Sequence, residues 1–198
     1  EKKIGIADLR RAFRFHYDQT DHDPYLDSNP KEVYRPVSIF RTTQTHLPQV
    51  RSEFPSAIGC LNYVAEGMAD LGVFLPLYAG IHSFPKPYTI GNGHSDKESA
   101  YWRFRKVMVL GMTNYNEYAP LIKETYAKFE AETDLRQKEM EVEYMKLYKN
   151  QPMKAQDLLQ DFSDDILNKA LEVADSLTEE LFTRLTVDIQ KEYLFHGA

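Results

Sequence analysis

The sequence predicts an α+β protein in two parts, a strand-bearing segment over residues 1–96 and a helical region over 97–198. Three observations predict it. Up to about residue 97 the apolar runs are short, rich in β-branched residues and punctuated by Pro, Gly and Asn. Beyond it Gly and Pro almost vanish and apolar residues recur at helical spacing. Within the first part, Ser38-Ile39-Phe40-Arg41-Thr42-Thr43-Gln44-Thr45-His46 packs a cation, an amide, hydroxyls and an imidazole into what reads as one β-strand.

In chain order, Ile6, Leu9 and Phe13 fall at i, i+3 and i+7 and predict a short first helix. An aspartate-rich, turn-prone stretch follows from Asp18 to Pro30, with Asp27-Ser28-Asn29-Pro30 as its clearest breaker. Arg35-Pro36 forces extended backbone before a strand starting near Val37. Two further strands are expected at Leu61–Ala65 and Val73–Tyr78, the second at an edge because Pro76 cannot donate to a ladder. Thr89–Ser95 reads as a loop; Gly91-Asn92-Gly93 is a turn, since no phosphate-binding helix pattern follows.

In the helical part, Ala100, Phe104, Val107, Met108, Gly111 and Tyr115 mark the buried stripe of a long helix. A second helix from about Tyr118 to Tyr148 carries Ile122, Tyr126 and Phe129, then a more polar half expected to project from the body. Pro152 suits the first turn of a third helix, and Ser163 with Asp164 and Asp165 suits the cap of a fourth. Leu167, Ala170, Leu171, Ala174, Leu177 and Leu181 form its core stripe.

With 42% apolar and 27% charged residues the chain is globular. The net charge of −6, with cations interspersed among acids, argues against a nucleic-acid partner. No apolar run approaches the roughly 20 residues of a membrane span, and a cytoplasmic location is expected. One cysteine, Cys60, excludes an internal disulfide framework and any multi-cysteine metal site. It lies in an apolar run with no adjacent cation to lower its pKa, which fits a packing role.

Strand alternation would put Val37, Ile39, Arg41, Thr43 and Thr45 on one face, and Ser38, Phe40, Thr42, Gln44 and His46 on the other. Each face turns from apolar to polar, as a strand leaving a core for a pocket would. Arg41 is the foremost candidate, because a guanidinium fork suits a carboxylate or a developing oxyanion. The competing reading is an ion pair with Asp18 or Asp21. His46 either ends the strand or serves as acid or base. His16, Asp18, Asp21, His22 and Asp23 resemble a hard-metal collection, but their spacing matches no compact ligand motif and turn-forming acids explain them as well. No metal or other cofactor is therefore expected.

The ordered segments resemble those of the bacterial cysteine dipeptidases related to secernins, within the N-terminal-nucleophile hydrolases. Phe15-His16-Tyr17-Asp18-Gln19-Thr20 is similar to that family's H-Y-E-G-T segment, and Ser38 to His46 to its S-I-W-R-T-x-Q-T-H strand. Ile58-Gly59-Cys60-Leu61-Asn62-Tyr63 and Val73–Ile81 resemble two further strands, and Ser99-Ala100-Tyr101-Trp102-Arg103-Phe104 resembles a helix start. The likeness covers nearly the whole chain and becomes generic after about Tyr118. Gln19 stands where the family has Gly, and Cys60 where it often has Gly.

The resemblance implies part of an αββα sandwich with antiparallel strands, continued by a mostly helical C-terminal region. It implies hydrolysis of dipeptides by an N-terminal cysteine nucleophile upstream of the matched region. That role does not transfer to Cys60, and Glu1 is no nucleophile of this class. Arg41 would then support catalysis, with Gln44, Thr45 and His46 contacting substrate. The chain is expected to be the C-terminal portion of a larger enzyme, inactive alone. Its partners would be the nucleophile-bearing part and, through uncovered apolar surface, further copies of itself. A binding or scaffold module that keeps the fold without hydrolysis is the alternative.

Overall fold

In the computed structural model, residues 3–25 and 34–193 are described. The expected breaker Asp27–Pro30 lies outside them. The elements are α1 (Ile6–Phe13), β1 (Gln44–Val50), α2 (Ser56–Gly59), β2 (Cys60–Glu66), β3 (Leu75–Tyr78), α3 (Ala100–Thr113), α4 (Tyr115–Tyr148) and α5 (Pro152–Glu192). Short 3-10 turns occupy Ala69–Leu71 and Lys86–Thr89. The α+β class expected from the sequence is the one observed.

The strands form one antiparallel sheet in the order β1-β2-β3. Thr45 faces Ala65 and Leu47 faces Tyr63 across the first pair, and Leu61 faces Tyr78 across the second. Alternation along those strands puts Thr45, Leu47, Leu61, Tyr63, Ala65 and Tyr78 on one face, all buried under the helices. β3 pairs only with β2 among the described residues, so Pro76 sits at an edge as expected.

The polar strand starts later than the sequence predicts. Residues 38–43 form bends and a turn, closed by a Thr42 amide to Ile39 carbonyl bond of 3.0 Å, and ladder pairing begins only at Gln44. Arg41 is therefore a turn residue, and the alternation assumed over Val37–Thr43 does not apply. The reason is tertiary. Ser38 is buried, and its amide donates to the Phe15 carbonyl, which turns the chain away from the sheet.

Helical spacing identifies the core correctly. Ala100, Phe104, Val107, Met108 and Gly111 are buried on α3, and Leu167 to Leu181 on α5, each large apolar side chain contributing roughly 1.5–3 kcal/mol. Two expectations fail. α5 is one helix from Pro152 to Glu192, and Ser163 lies inside it, its buried hydroxyl donating to the Leu159 carbonyl. That i−4 bond satisfies the serine without a helix start. Nor does the polar half of α4 project. Glu130, Thr133, Gln137 and Glu141 are buried on the face that meets the sheet, where Glu130, Gln137 and Glu141 receive arginines and tyrosines.

α1 shows the same exchange of apolar for charged packing. Its buried residue is Arg10, 4% exposed, whereas Leu9 is 37% exposed. Arg10 reaches Asp134 through two bonds of 2.9 and 3.0 Å and stacks on Tyr63.

Candidate active-site wall

The turn over Ile39–Thr42 is held from several directions. The Ser38 hydroxyl accepts from the Asp70 amide at 2.9 Å, and the Ser38 carbonyl accepts from the Tyr25 hydroxyl at 2.9 Å. Arg105 on α3 donates to the Phe40 carbonyl at 2.6 Å, and its guanidinium lies 4.0 Å from the centre of the Phe40 ring. On the far side the Gly67 amide donates to the Thr43 carbonyl at 2.6 Å. Gly67 has φ +80, a backbone region that disfavours a β-carbon. The turn is thus fixed to the segment after α1, the 3-10 turn, α3 and the β2 end. Arg41 stands exposed on it and has no polar partner among the described residues; the alternative pairing with Asp18 or Asp21 does not form.

Beside this turn lies a cavity of about 320 Å³ lined by His16, Asp18, Gln19, Asp23, Tyr115 and Lys123, among others. His16 is buried at its base. Its Nδ1 is 2.9 Å from Asp23, and its Nε2 lies 2.5 Å from Asp18, 2.9 Å from the Tyr115 hydroxyl and 3.4 Å from Asp70. Tyr115 donates to Asp70 at 2.5 Å, and the Lys123 ammonium is 2.8 Å from Asp70 and 2.8 Å from the Tyr115 hydroxyl.

Burial opposes charge on His16, but the Asp70, Asp23 and Asp18 carboxylates outweigh it and hold the imidazole pKa above its usual value. Burial likewise opposes the Asp70 charge, and His16, Lys123 and Tyr115 hold its pKa below the usual carboxylate range. Burial and Asp70 raise both neighbouring tyrosines, Tyr25 to about 12 and Tyr115 further. Asp18 is carried between two residues in left-handed backbone, Tyr17 at φ 66 and Gln19 at φ 60. Gln19 therefore adopts the conformation that the family's glycine favours.

Ligand atoms of His16, Asp18 and Asp23 lie within 4.8 Å of one another, the grouping a metal ion would need. The fit is poor. The two His16 nitrogens face different carboxylates, and Lys123 already supplies a cation 3.4 Å from Nε2. The arrangement is better suited to holding a proton than a metal.

The other residues selected from the sequence separate across the sheet. Gln44 and His46 are exposed on the other face, which is uncovered at this end although Val64 and Leu75 on it are buried; there Gln44 donates to Glu66 at 2.8 Å and His46 meets Asn62 at 2.9 Å. Burial raises the Glu66 carboxyl pKa. Thr45 points the opposite way, is buried, and reaches the Gly67 carbonyl at 3.4 Å. His46 does not end the strand but lies within β1. Cys60 is half-buried and shares the uncovered face with His46 and Asn62.

Residues 1–128 match the model of peptidase family C69. The chain belongs to this family. Among curated relatives of this chain, a "Probable dipeptidase" of Salmonella dublin is 40% identical over 117 residues, covering 54% of this chain and 27% of the relative. "Dipeptidase A" of Lactobacillus helveticus is 27% identical over 184 residues, 89% of this chain and 38% of the relative. A "Probable dipeptidase A" of Streptococcus pyogenes is 25% identical over 189 residues, 92% and 40% respectively. The chain thus spans about a quarter to two-fifths of the length of these relatives, and the dipeptidase resemblance read from its segments is borne out.

The fold of this C69 chain joins the two segments carrying most of that resemblance, through the Phe15–Ser38 bond and through Asp70, which touches both Ser38 and His16. Asp70, Tyr115, Lys123 and Arg105 were not selected from the sequence. Tyr115 is 99 positions from His16 and Arg105 is 65 from Phe40, so no local spacing could have signalled them. No helix among the described residues is long and apolar enough to cross a membrane.

Proposed function

We propose that this chain supplies the non-nucleophilic wall of a site that hydrolyses dipeptides, and that Arg41 is its cation. The supporting observation is the braced turn. The backbone of residues 38–43 makes four bonds to other segments and the Ser38 hydroxyl a fifth, while Arg41 itself is left exposed. An exposed guanidinium with no ion pair to break can turn to negative charge that develops within its reach. The dipeptidase names of the relatives support the substrate class.

In this reading an N-terminal cysteine, upstream of the matched region in the complete protein, attacks the scissile carbonyl as a thiolate. Its own α-amino group takes the thiol proton. Arg41 stabilises the tetrahedral oxyanion, which collapses to a thioester as the C-terminal amino acid leaves with a proton. Water then hydrolyses the thioester and frees the cysteine. Gln44 and His46 would contact substrate from the uncovered sheet face; Thr45 would act by fixing β1 to Gly67. Residues 1–96 and 97–198 are read as two parts of one unit, whose uncovered face the nucleophile-bearing part would cover. The isolated chain is then inactive and self-associates through that face.

The complete protein should hydrolyse unprotected dipeptides and lose that activity when alkylated with iodoacetamide. Dipeptide hydrolysis that survives complete alkylation would contradict the cysteine mechanism. Absence of any dipeptide hydrolysis would favour the scaffold reading.

A further inference from the structure

We infer that Arg105 is a positioning residue for catalysis, acting by selecting the conformation of the turn that carries Arg41. This rests on the reading of Arg41 as the site cation. The turn has Ile39 first and Thr42 last, so Phe40 and Arg41 are its two central residues. The peptide unit between them is the one that reverses when a turn passes from type I to type II, since the closing bond does not hold it. Arg105 donates to the carbonyl of that peptide unit and stacks on the ring of the residue before Arg41. Both contacts act on Phe40, one on the carbonyl that would reverse and one on the ring beside it.

The direction of the selection is also defined. A type II turn needs positive φ at its third residue, here Arg41. The only non-glycine residues with positive φ among those described are Tyr17 and Gln19, so Arg41 is held in the other form. Reversal would carry the Phe40 carbonyl off Arg105 and place Arg41 at positive φ, where a different set of side-chain rotamers is allowed. A misplacement of about 1 Å in a catalytic group can reduce turnover by roughly a hundredfold, so a residue that touches no substrate can still govern the rate. Arg105 is well placed for this because α3 is anchored by its own buried stripe.

The test uses the complete peptidase. Arg105→Met should lower kcat about tenfold or more with little change in KM, and Arg105→Lys, which keeps a donor and a cation, should recover part of the loss. Hydrogen exchange over residues 38–44 should accelerate in Arg105→Met, reporting the freed turn without reference to activity. In an Arg41→Ala background, Arg105→Met should cost nothing further. An additive kinetic loss in that background, or unchanged exchange over the turn, would overturn the proposal. If Arg41→Ala alone kept wild-type turnover, the reading of Arg41 would fail, and the exchange measurement would still report separately whether Arg105 holds the turn.

Discussion

Arg10, Arg14 and Arg51 differ from Arg41 in what the fold gives them. Arg14 pairs with Glu130 at 2.6 Å and also donates to the Ala69 and Gly72 carbonyls. Arg51 forms two bonds to Glu141, at 2.7 and 2.9 Å, and Arg10 two to Asp134. Their partners repeat at helical spacing along one face of α4, so these cations join α1, the segment after it and the end of β1 to that helix. Removed from water, each needs a counter-charge. Arg41 keeps its water and has no counter-charge among the described residues, while the backbone on both sides of it is tied through Ser38, Phe40 and Thr43. The comparison separates arginines that hold the fold from one left available to bind.

The sharpest break of that comparison is Arg51→Met, which strands Glu141 against the Tyr78 hydroxyl and should cost about 3–5 kcal/mol in urea unfolding. Adding Glu141→Leu should recover much of the loss, because an apolar pair replaces a buried ionic one at little net cost. Next, His16→Gln should cost about 1–3 kcal/mol near pH 6. The raised His16 pKa gives the sign. Its stabilisation is fully present below the unfolded value and is lost as pH rises through the folded one. Thermal melts between pH 6 and 9 should therefore show a decline in the wild type that is absent in His16→Gln. The lowered Asp70 pKa acts oppositely, its contribution being lost as pH falls below the usual carboxylate range.

A smaller effect is expected from Gly67→Ala, which costs about 1–2 kcal/mol for a β-carbon at φ +80 and also forces the buried Met108 side chain to move. Smallest of all, Gln44→Ala and His46→Ala should change stability by less than about 0.5 kcal/mol, since both side chains are exposed. A raised KM in those variants of the complete peptidase would place them in the substrate site, and an unchanged KM would remove them from it.

Elements governed by local period were legible in the sequence. The α3 stripe and Leu167 to Leu181 are buried as their spacing requires, and Pro76 marked an edge. What was not legible depends on distant partners. β1 starts at Gln44 because Ser38 is drawn to Phe15 and Asp70, and nothing within Val37–Thr43 announces that. The buried half of α4 looked solvated because Glu130 and Glu141 are acidic, and only the arginines opposite explain their burial. Within the candidate site, Arg41 and His16 drew attention by residue type. Asp70, Tyr115, Lys123 and Arg105 had no signal of their own, since each gains its role only through contact with one of those segments.

The most direct test of Arg41 is its replacement by alanine in the complete peptidase, with kcat/KM for a dipeptide and thermal stability measured on the same preparation. Loss of an oxyanion donor should lower kcat/KM by about 10²–10³-fold, while stability changes by less than about 0.5 kcal/mol because no pairing is broken. Wild-type kcat/KM in that variant would contradict the assignment of Arg41 as the cation of the site.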